Sequence, residues 1–169
     1  AISEAVELLS SKGYRARLIA GGTDLLVQLR GGRRSVDLVV DAKQIPELNE
    51  MSYSPQNGLV IGAAVPCYRI YADNSIAEAY PGLIDAASLI GGIQIQGRAS
   101  LGGNLCNAAP SGDSIPPIIA LGGVAHIAGS NGSRQVAAEA FCTGPGRNVL
   151  QDGEMLVSIN IPVPVAHSG

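Results

Sequence analysis

The sequence predicts an α+β fold, with a small α/β lobe in the N-terminal third and an antiparallel sheet with helices packed on it over the remainder. Three observations point there. The first 41 residues read as helix, strand, glycine turn, short helix and strand. Two turn sequences, Pro55-Gln56-Asn57-Gly58 and Ser130-Asn131-Gly132-Ser133, each separate two strand-like runs, as in hairpins. The composition, 46% hydrophobic and 15% charged with 22 Gly and 10 Pro among 169 residues, suits one compact globular unit and lies below the roughly 25–30% Gly plus Pro of low-complexity chains.

Ser3 is placed to cap a helix, and Ile2, Ala5, Val6, Leu8 and Leu9 recur at helical spacing until Gly13, so residues 3–12 read as an amphipathic helix. Residues 15–19 read as a strand. Gly21 and Gly22 follow as a turn, with Thr23 or Asp24 as the cap of a short helix whose apolar residues are Leu25, Leu26, Val27 and Leu29. Residues 36–41 read as the second strand. A connector over 42–50 around Pro46 leads to strands at 51–54 and 59–64. Residues 75–89 have a helical pattern with a break at Pro81-Gly82, and residues 91–114, small and polar, read as a long loop. A short buried helix is expected at 115–122, because Pro116 and Pro117 are tolerated in a first helical turn. Strands follow at 124–129, 134–138 and 155–161. The lobes are expected at 1–50 and 51–169.

Several function classes are excluded. The apolar runs at 59–65 and 118–128 fall short of the ~18–20 residues that span a bilayer. The opening AISEAVELLSSKG has no basic-then-apolar secretory pattern, and the expected location is cytoplasmic. The net charge is −3, and the basic residues are scattered apart from Arg30, Arg33 and Arg34, so no nucleic acid is expected as a partner. Cys67, Cys106 and Cys142 form no CxxC pair for zinc or an iron–sulfur cluster and read as reduced, packing thiols. His126 lies in an apolar strand and His167 near the end of the chain, neither in a metalloprotease or triad context, which disfavours hydrolysis.

The chemistry concentrates in two glycine segments. Ala20-Gly21-Gly22-Thr23-Asp24 joins a strand to a helix and presents free N–H groups at the positive helix end, as phosphate binding requires. By itself the segment equally spells a tight turn. Ser100-Leu101-Gly102-Gly103-Asn104 is a second segment with two residues lacking side chains, and two such backbones can approach one extended anion from both sides, which suits a diphosphate. Ser100 and Asn104 add side-chain donors. Asp113 either accepts from ribose hydroxyls or caps the helix at 115–122. Neither GxxxxGK[ST] nor GxGxxG occurs. A diphosphate cradle without acid–base machinery points to a domain that holds a redox cofactor and leaves the chemistry to it.

IAGGTDLL at 19–26, IGGIQIQGRASLGGNLCNAAPSGDS at 90–114 and LVSINIP at 156–162 together resemble the FAD-binding medium subunit of the molybdenum hydroxylases, of the carbon monoxide dehydrogenase and xanthine dehydrogenase type. The resemblance covers nearly the whole chain and implies a two-lobed, vanillyl-alcohol-oxidase-like (PCMH-type) fold with non-covalent FAD between the lobes. On it, Ala20, Gly21, Gly22, Thr23 and Asp24, with Ser100, Leu101, Gly102, Gly103 and Asn104, hold the diphosphate and adjoining groups. Asp113 takes the ribose-side position, and Ile90 and Leu150 line the flavin. It further implies partners: a small subunit with two [2Fe-2S] clusters and a large molybdopterin subunit, commonly as a dimer of heterotrimers. Electrons from the molybdenum site then reach FAD and leave to NAD or a quinone. The chain departs from the family pattern at Gln96-Gly97, where Arg-Asn is common. By the same resemblance, a leading strand and the family's C-terminal domain are expected to be absent from this chain, and no Cys-rich insertion is present to hold an extra cluster. A stand-alone flavin oxidase or reductase of the same fold, and a scaffold that has lost its cofactor, are the competing readings.

Overall fold

In the computed structural model, which describes residues 1–164, the expected elements occur in the expected order, with some shifts. Helix α1 (Ile2–Lys12) buries Ala5, Val6 and Leu9. Its N-cap is Ala1, not Ser3, because Ile2 already packs on the core and draws the helix start forward. Strands β1 (Ala16–Ile19) and β2 (Leu38–Asp41) are parallel, Ala16 opposite Leu38 and Ile19 opposite Asp41, with α2 (Leu25–Arg30) as the crossover. Both are shorter than expected. Residues 13–15 form a 3₁₀ turn, and Arg15 is held by Asp37, its Nε donating to Oδ2 at 2.7 Å. The connector is two 3₁₀ turns, Ala42–Gln44 and Pro46–Leu48, laced by Asn49 Nδ2 donating to the carbonyls of Ala42 (3.1 Å) and Ile45 (2.8 Å).

The second part is built on a five-stranded antiparallel sheet. Strands β3 (Met51–Ser54) and β4 (Gly58–Gly62) form the first expected hairpin, and β5 (Val124–Gly129) and β6 (Gly132–Ala137) the second. The spatial order is β3-β4-β9-β5-β6, so the last strand, β9 (Met155–Ile161), joins the two hairpins. It pairs Ile161 with Leu59 and Ile159 with Ala125, which places apolar residues of three strands on one buried face.

That face is covered by α3 (Cys67–Tyr71), α4 (Asn74–Ala79), α5 (Pro81–Leu89), α7 (Leu101–Asn107) and α8 (Ile115–Ala120). The break at Pro81-Gly82 is real. Asp73 caps α4 by accepting from Ser75 N (3.0 Å) and Ile76 N (3.3 Å), and Pro81 opens α5. The expected loop at 91–114 is corrected, since it contains α6 (Ile93–Gln96) and α7. Leu101 and Leu105, one turn apart, are fully buried, and their burial outweighs the poor helix propensity of the intervening Gly102 and Gly103. A short helix α9 (Ala138–Phe141) and a small hairpin, β7 (Cys142–Gly144) with β8 (Arg147–Asn148), were not expected. Buried residues from α1 through β9 belong to one continuous cluster. Among the described residues, no helix is long and apolar enough to cross a membrane.

Candidate functional site

The first glycine segment meets the residues that lead into the second. An ideal Cβ on Gly21 would lie 2.1 Å from the Arg98 carbonyl oxygen, and one on Gly102 would lie 2.5 Å from the Ala63 oxygen and 2.6 Å from its Cα. Arg98 Nε donates to the Gly21 carbonyl (3.0 Å), and Cys67 N donates to the Ala99 carbonyl (2.9 Å). Gly21 and Gly102 therefore bring backbones together, a role only a residue without a side chain performs. Their neighbours have another role. Gly22 stands in the left-handed region at φ +74°, and a Cβ on Gly103 meets only Ser100 Oγ, at 3.0 Å.

Beside this junction lies a cleft of about 690 Å³, within the ~300–1,000 Å³ usual for cofactor sites. Ala20, Gly21, Gly22, Thr23 and Asp24 line it from the β1–α2 turn, and Ser100, Gly102, Gly103 and Asn104 from the start of α7. Asp113, Ile90 and Leu150 line it as well. The exception is Leu101. Its side chain is wholly buried in the core and is absent from the cleft wall, which corrects that assignment.

The polar side chains are already oriented. Ser100 Oγ accepts from Gly103 N (3.0 Å), so the hydroxyl expected as a ligand donor is the N-cap of α7. Asn104 Nδ2 donates to Ser114 Oγ (2.9 Å), and Ser114 is fully buried. Ser114 is also the N-cap of α8. Asp113 is exposed and makes no hydrogen bond among the described residues, which removes its capping alternative. The backbone N–H groups of Gly22, Thr23 and Asp24 find no backbone acceptor among the described residues, nor does that of Gly102. At the departure from the family pattern, Gln96 is 8% exposed and ties the end of α5 to α6, Nε2 donating to Ser88 O (2.6 Å) and Oε1 accepting from Tyr71 OH (3.3 Å). It thereby steadies the segment that carries Ile90.

Other cleft residues were not anticipated. Thr143, Gly146, Arg147 and Asn148 come from the β7–β8 hairpin, which is moored to α7 by Asn148 Nδ2 donating to Cys106 O (2.6 Å) and Gly146 N to Ala108 O (2.8 Å). Gly144-Pro145-Gly146 was the available turn signal. Arg17 on β1 and Arg34 before β2 also line the cleft.

Leu150 sits in a turn clasped by Arg134. Its Nη2 donates to Val149 O (2.9 Å) and to Glu154 Oε2 (2.7 Å), and Glu154 Oε2 accepts from Gln151 N (2.8 Å). The hydrogen bond from Arg134 holds the Glu154 carboxyl below the usual carboxylate range. A carboxyl with a depressed folded pKa contributes stability that is present above its unfolded value, about 4.3, and that is lost as the pH falls through the folded value. Glu154→Gln is therefore expected to lower the Tm at pH 7, with the gap to the wild type closing as the pH falls below that unfolded value. Melting curves across that range check it.

Among the described residues no histidine lines the cleft. His126 lies in β5 opposite Gln135 and Ser158 and is not among the cleft residues, and His167 lies outside the described residues. Burial pushes the Cys67 thiol up to about 11 and that of Cys106, on the cleft wall, up to about 12, so both stay protonated at neutral pH. Among the described residues no group of three His, Cys, Asp or Glu side chains is arranged to hold a metal. The site offers backbone donors, two bare glycine surfaces, a free carboxylate and apolar walls, which together fit a long ligand with a diphosphate at its middle.

Residues 1–164 match the family model described as the FAD binding domain in molybdopterin dehydrogenase. The chain is 35% identical over 169 residues to a xanthine dehydrogenase FAD-binding subunit of Escherichia coli O157:H7, covering 99% of this chain and 58% of that protein. It superposes at a TM-score of 0.93, with 30% identity, on a chain of carbon monoxide dehydrogenase from Hydrogenophaga pseudoflava lacking the Mo-pyranopterin moiety, covering 98% of this chain and 57% of that one. A chain of quinoline 2-oxidoreductase from Pseudomonas putida 86 superposes at 0.91 with 32% identity, covering 97% and 57%. The chain thus spans somewhat over half the length of these relatives.

Proposed function

Because the chain belongs to the family of FAD-binding domains of molybdopterin dehydrogenases, we propose that the cleft holds FAD and that the protein is the flavin subunit of a molybdenum hydroxylase. The observation that carries the reading is the contact of Gly21 with Arg98, which sets two bare backbones against one cleft. Gly22, Thr23 and Asp24 on one side and Gly102 on the other would take the diphosphate through backbone N–H groups, with Gly103 leaving room for it and Asn104 adding its amide. Asp113 would accept from the ribose, and Ile90 and Leu150 would wall the flavin. The lobes so divided would meet near residue 50. FAD when bound supplies the redox chemistry, while this chain binds it without a covalent bond and orients it.

In this reading electrons arrive from [2Fe-2S] clusters on a small partner subunit, fed by a molybdopterin-bearing large subunit, and leave to NAD or a quinone. The assembly would be a dimer of heterotrimers in the cytoplasm. The protein purified with its co-expressed partner subunits tests this: heat should release FAD, and the complex should show iron–sulfur absorbance. A metal-loaded complex free of flavin would defeat the proposal.

Asp113 provides a finer check. Asp113→Asn keeps the shape but loses the charged acceptor, so FAD affinity should fall about tenfold, the worth of one charge-assisted hydrogen bond. The Tm should stay unchanged, because the side chain is exposed and unpartnered among the described residues. Fluorescence titration of the flavin-stripped protein reads the first effect and a melting curve the second.

A further inference from the structure

The glycine turns account for one anion, yet the cleft carries a second cationic feature. Arg17 and Ile19 share a face of β1 by strand alternation, and Arg15 ends the 3₁₀ turn just before that strand. Arg15 is neutralised by Asp37 in a two-pronged ion pair. Arg17, two residues on and half-buried in the cleft wall, has no salt bridge among the described residues, and its one hydrogen bond there is to the adjacent Ala16 carbonyl, at 2.7 Å. Arg34, also half-buried in the wall, has none either. The two guanidiniums repel each other, and burial with that repulsion holds Arg17 below its ordinary range, opposed only by the charge of Asp152. Two partly desolvated cations with one opposing carboxylate are an unfavourable arrangement that an arriving anion relieves. Guanidinium forks match phosphoryl oxygens in geometry as well as charge.

We propose that Arg17 and Arg34 form a second anion-recognition element of the cleft, separate from the glycine turns, that takes a phosphoryl group. Arg17 precedes Ala20 by three residues, so the element lies about 10 Å along β1 from the glycine turn at the ~3.3 Å rise of a strand. This rests on the reading of the cleft as the FAD site. The phosphoryl group has two sources, the diphosphate of FAD itself or that of a phosphorylated acceptor such as NAD entering the same cleft.

The test uses the full subunit in its complex, comparing wild type, the double variant Arg17→Gln/Arg34→Gln and the charge-keeping Arg17→Lys. If FAD is the source, the double variant loses affinity for FAD by about tenfold or more, as removal of charge-assisted bonds to phosphate does, and this loss shrinks at high salt. If the acceptor is the source, flavin content stays full, KM for NAD rises by a similar factor, and KM for an uncharged quinone is unchanged. Arg17→Lys recovers part of either effect. FAD affinity and KM for NAD both within twofold of wild type, at unchanged Tm, would overturn the proposal. A wild-type complex without flavin would defeat the preceding section instead, and the pair is then judged by calorimetric titration with inorganic pyrophosphate. Weaker binding by the double variant sustains it, and equal binding overturns it.

Discussion

Replacing Gly103 by Val is expected to yield a folded protein that no longer retains FAD. Gly103 lies in the first turn of α7 and on the cleft wall, and the one atom near its missing Cβ is Ser100 Oγ, at 3.0 Å. A side chain there has little protein to collide with, and the cap can yield by a few tenths of an ångström. Valine is also a better helix residue than glycine, by roughly 0.3–0.5 kcal/mol, which offsets a weakened Ser100 cap. Stability should therefore stay within about 1 kcal/mol of wild type. The space it fills is where the proposal seats the diphosphate, and loss of close approach there should weaken FAD by at least about a hundredfold, near 3 kcal/mol. Flavin-to-protein absorbance with a melting curve on the same sample decides it. A Gly103→Val protein with full flavin would show that the second glycine segment does not hold the cofactor.

Hairpins and helix stops were legible because single residues dictate them. Asn131-Gly132 and Asn57-Gly58 supply the positive φ that a tight turn needs, with Gly58 at +80° and Gly132 at +108°, and Pro81 both ends one helix and opens the next. The segment at 91–114 was not legible, since local propensity and tertiary packing disagree there. Gly91, Gly92, Gly97, Gly102 and Gly103 all argue against helix, but Leu101 and Leu105 bury completely, and a cap from Ser100 makes the helix. The β7–β8 hairpin was missed because strands of two and three residues leave no periodicity to read.

The site followed a similar division. Which residues gather was readable from two glycine pairs and the residues flanking them, but what each glycine does was not. Sequence treats Gly21 and Gly22, or Gly102 and Gly103, as equivalent, whereas all four line the cleft but only the first of each pair is pressed on a neighbouring backbone. Leu101 was drawn in by adjacency, although helical geometry turns it toward the core. Asp113 was placed at the cap for a similar reason: a one-residue shift puts Ser114 at the N-cap position, where its side chain makes no capping bond.

Gly21→Ala should act in the opposite manner to Gly103→Val, unfolding the site rather than filling it. The added carbon would sit 2.1 Å from the Arg98 oxygen and 2.9 Å from the Ala99 nitrogen, so a backbone must move. No flexible side chain is there to yield. Moving it disturbs the Arg98 bond to Gly21 and the Cys67 bond to Ala99, which tie the β1–α2 turn and α3, respectively, to the residues that lead into α7. Overpacking against rigid backbone costs up to about 3 kcal/mol, or a Tm lower by roughly 6–12 °C for a domain of this size, with flavin lost as a consequence. Gly82→Ala is the matching control. Gly82 lies in α5 with ordinary φ and nothing within 4 Å of its Cβ, so alanine there should raise stability by about 0.4–1 kcal/mol. If Gly21→Ala melts with wild type, Gly21 is not in backbone contact with Arg98 and Ala99, and the shared cleft on which FAD binding was proposed is not formed as described.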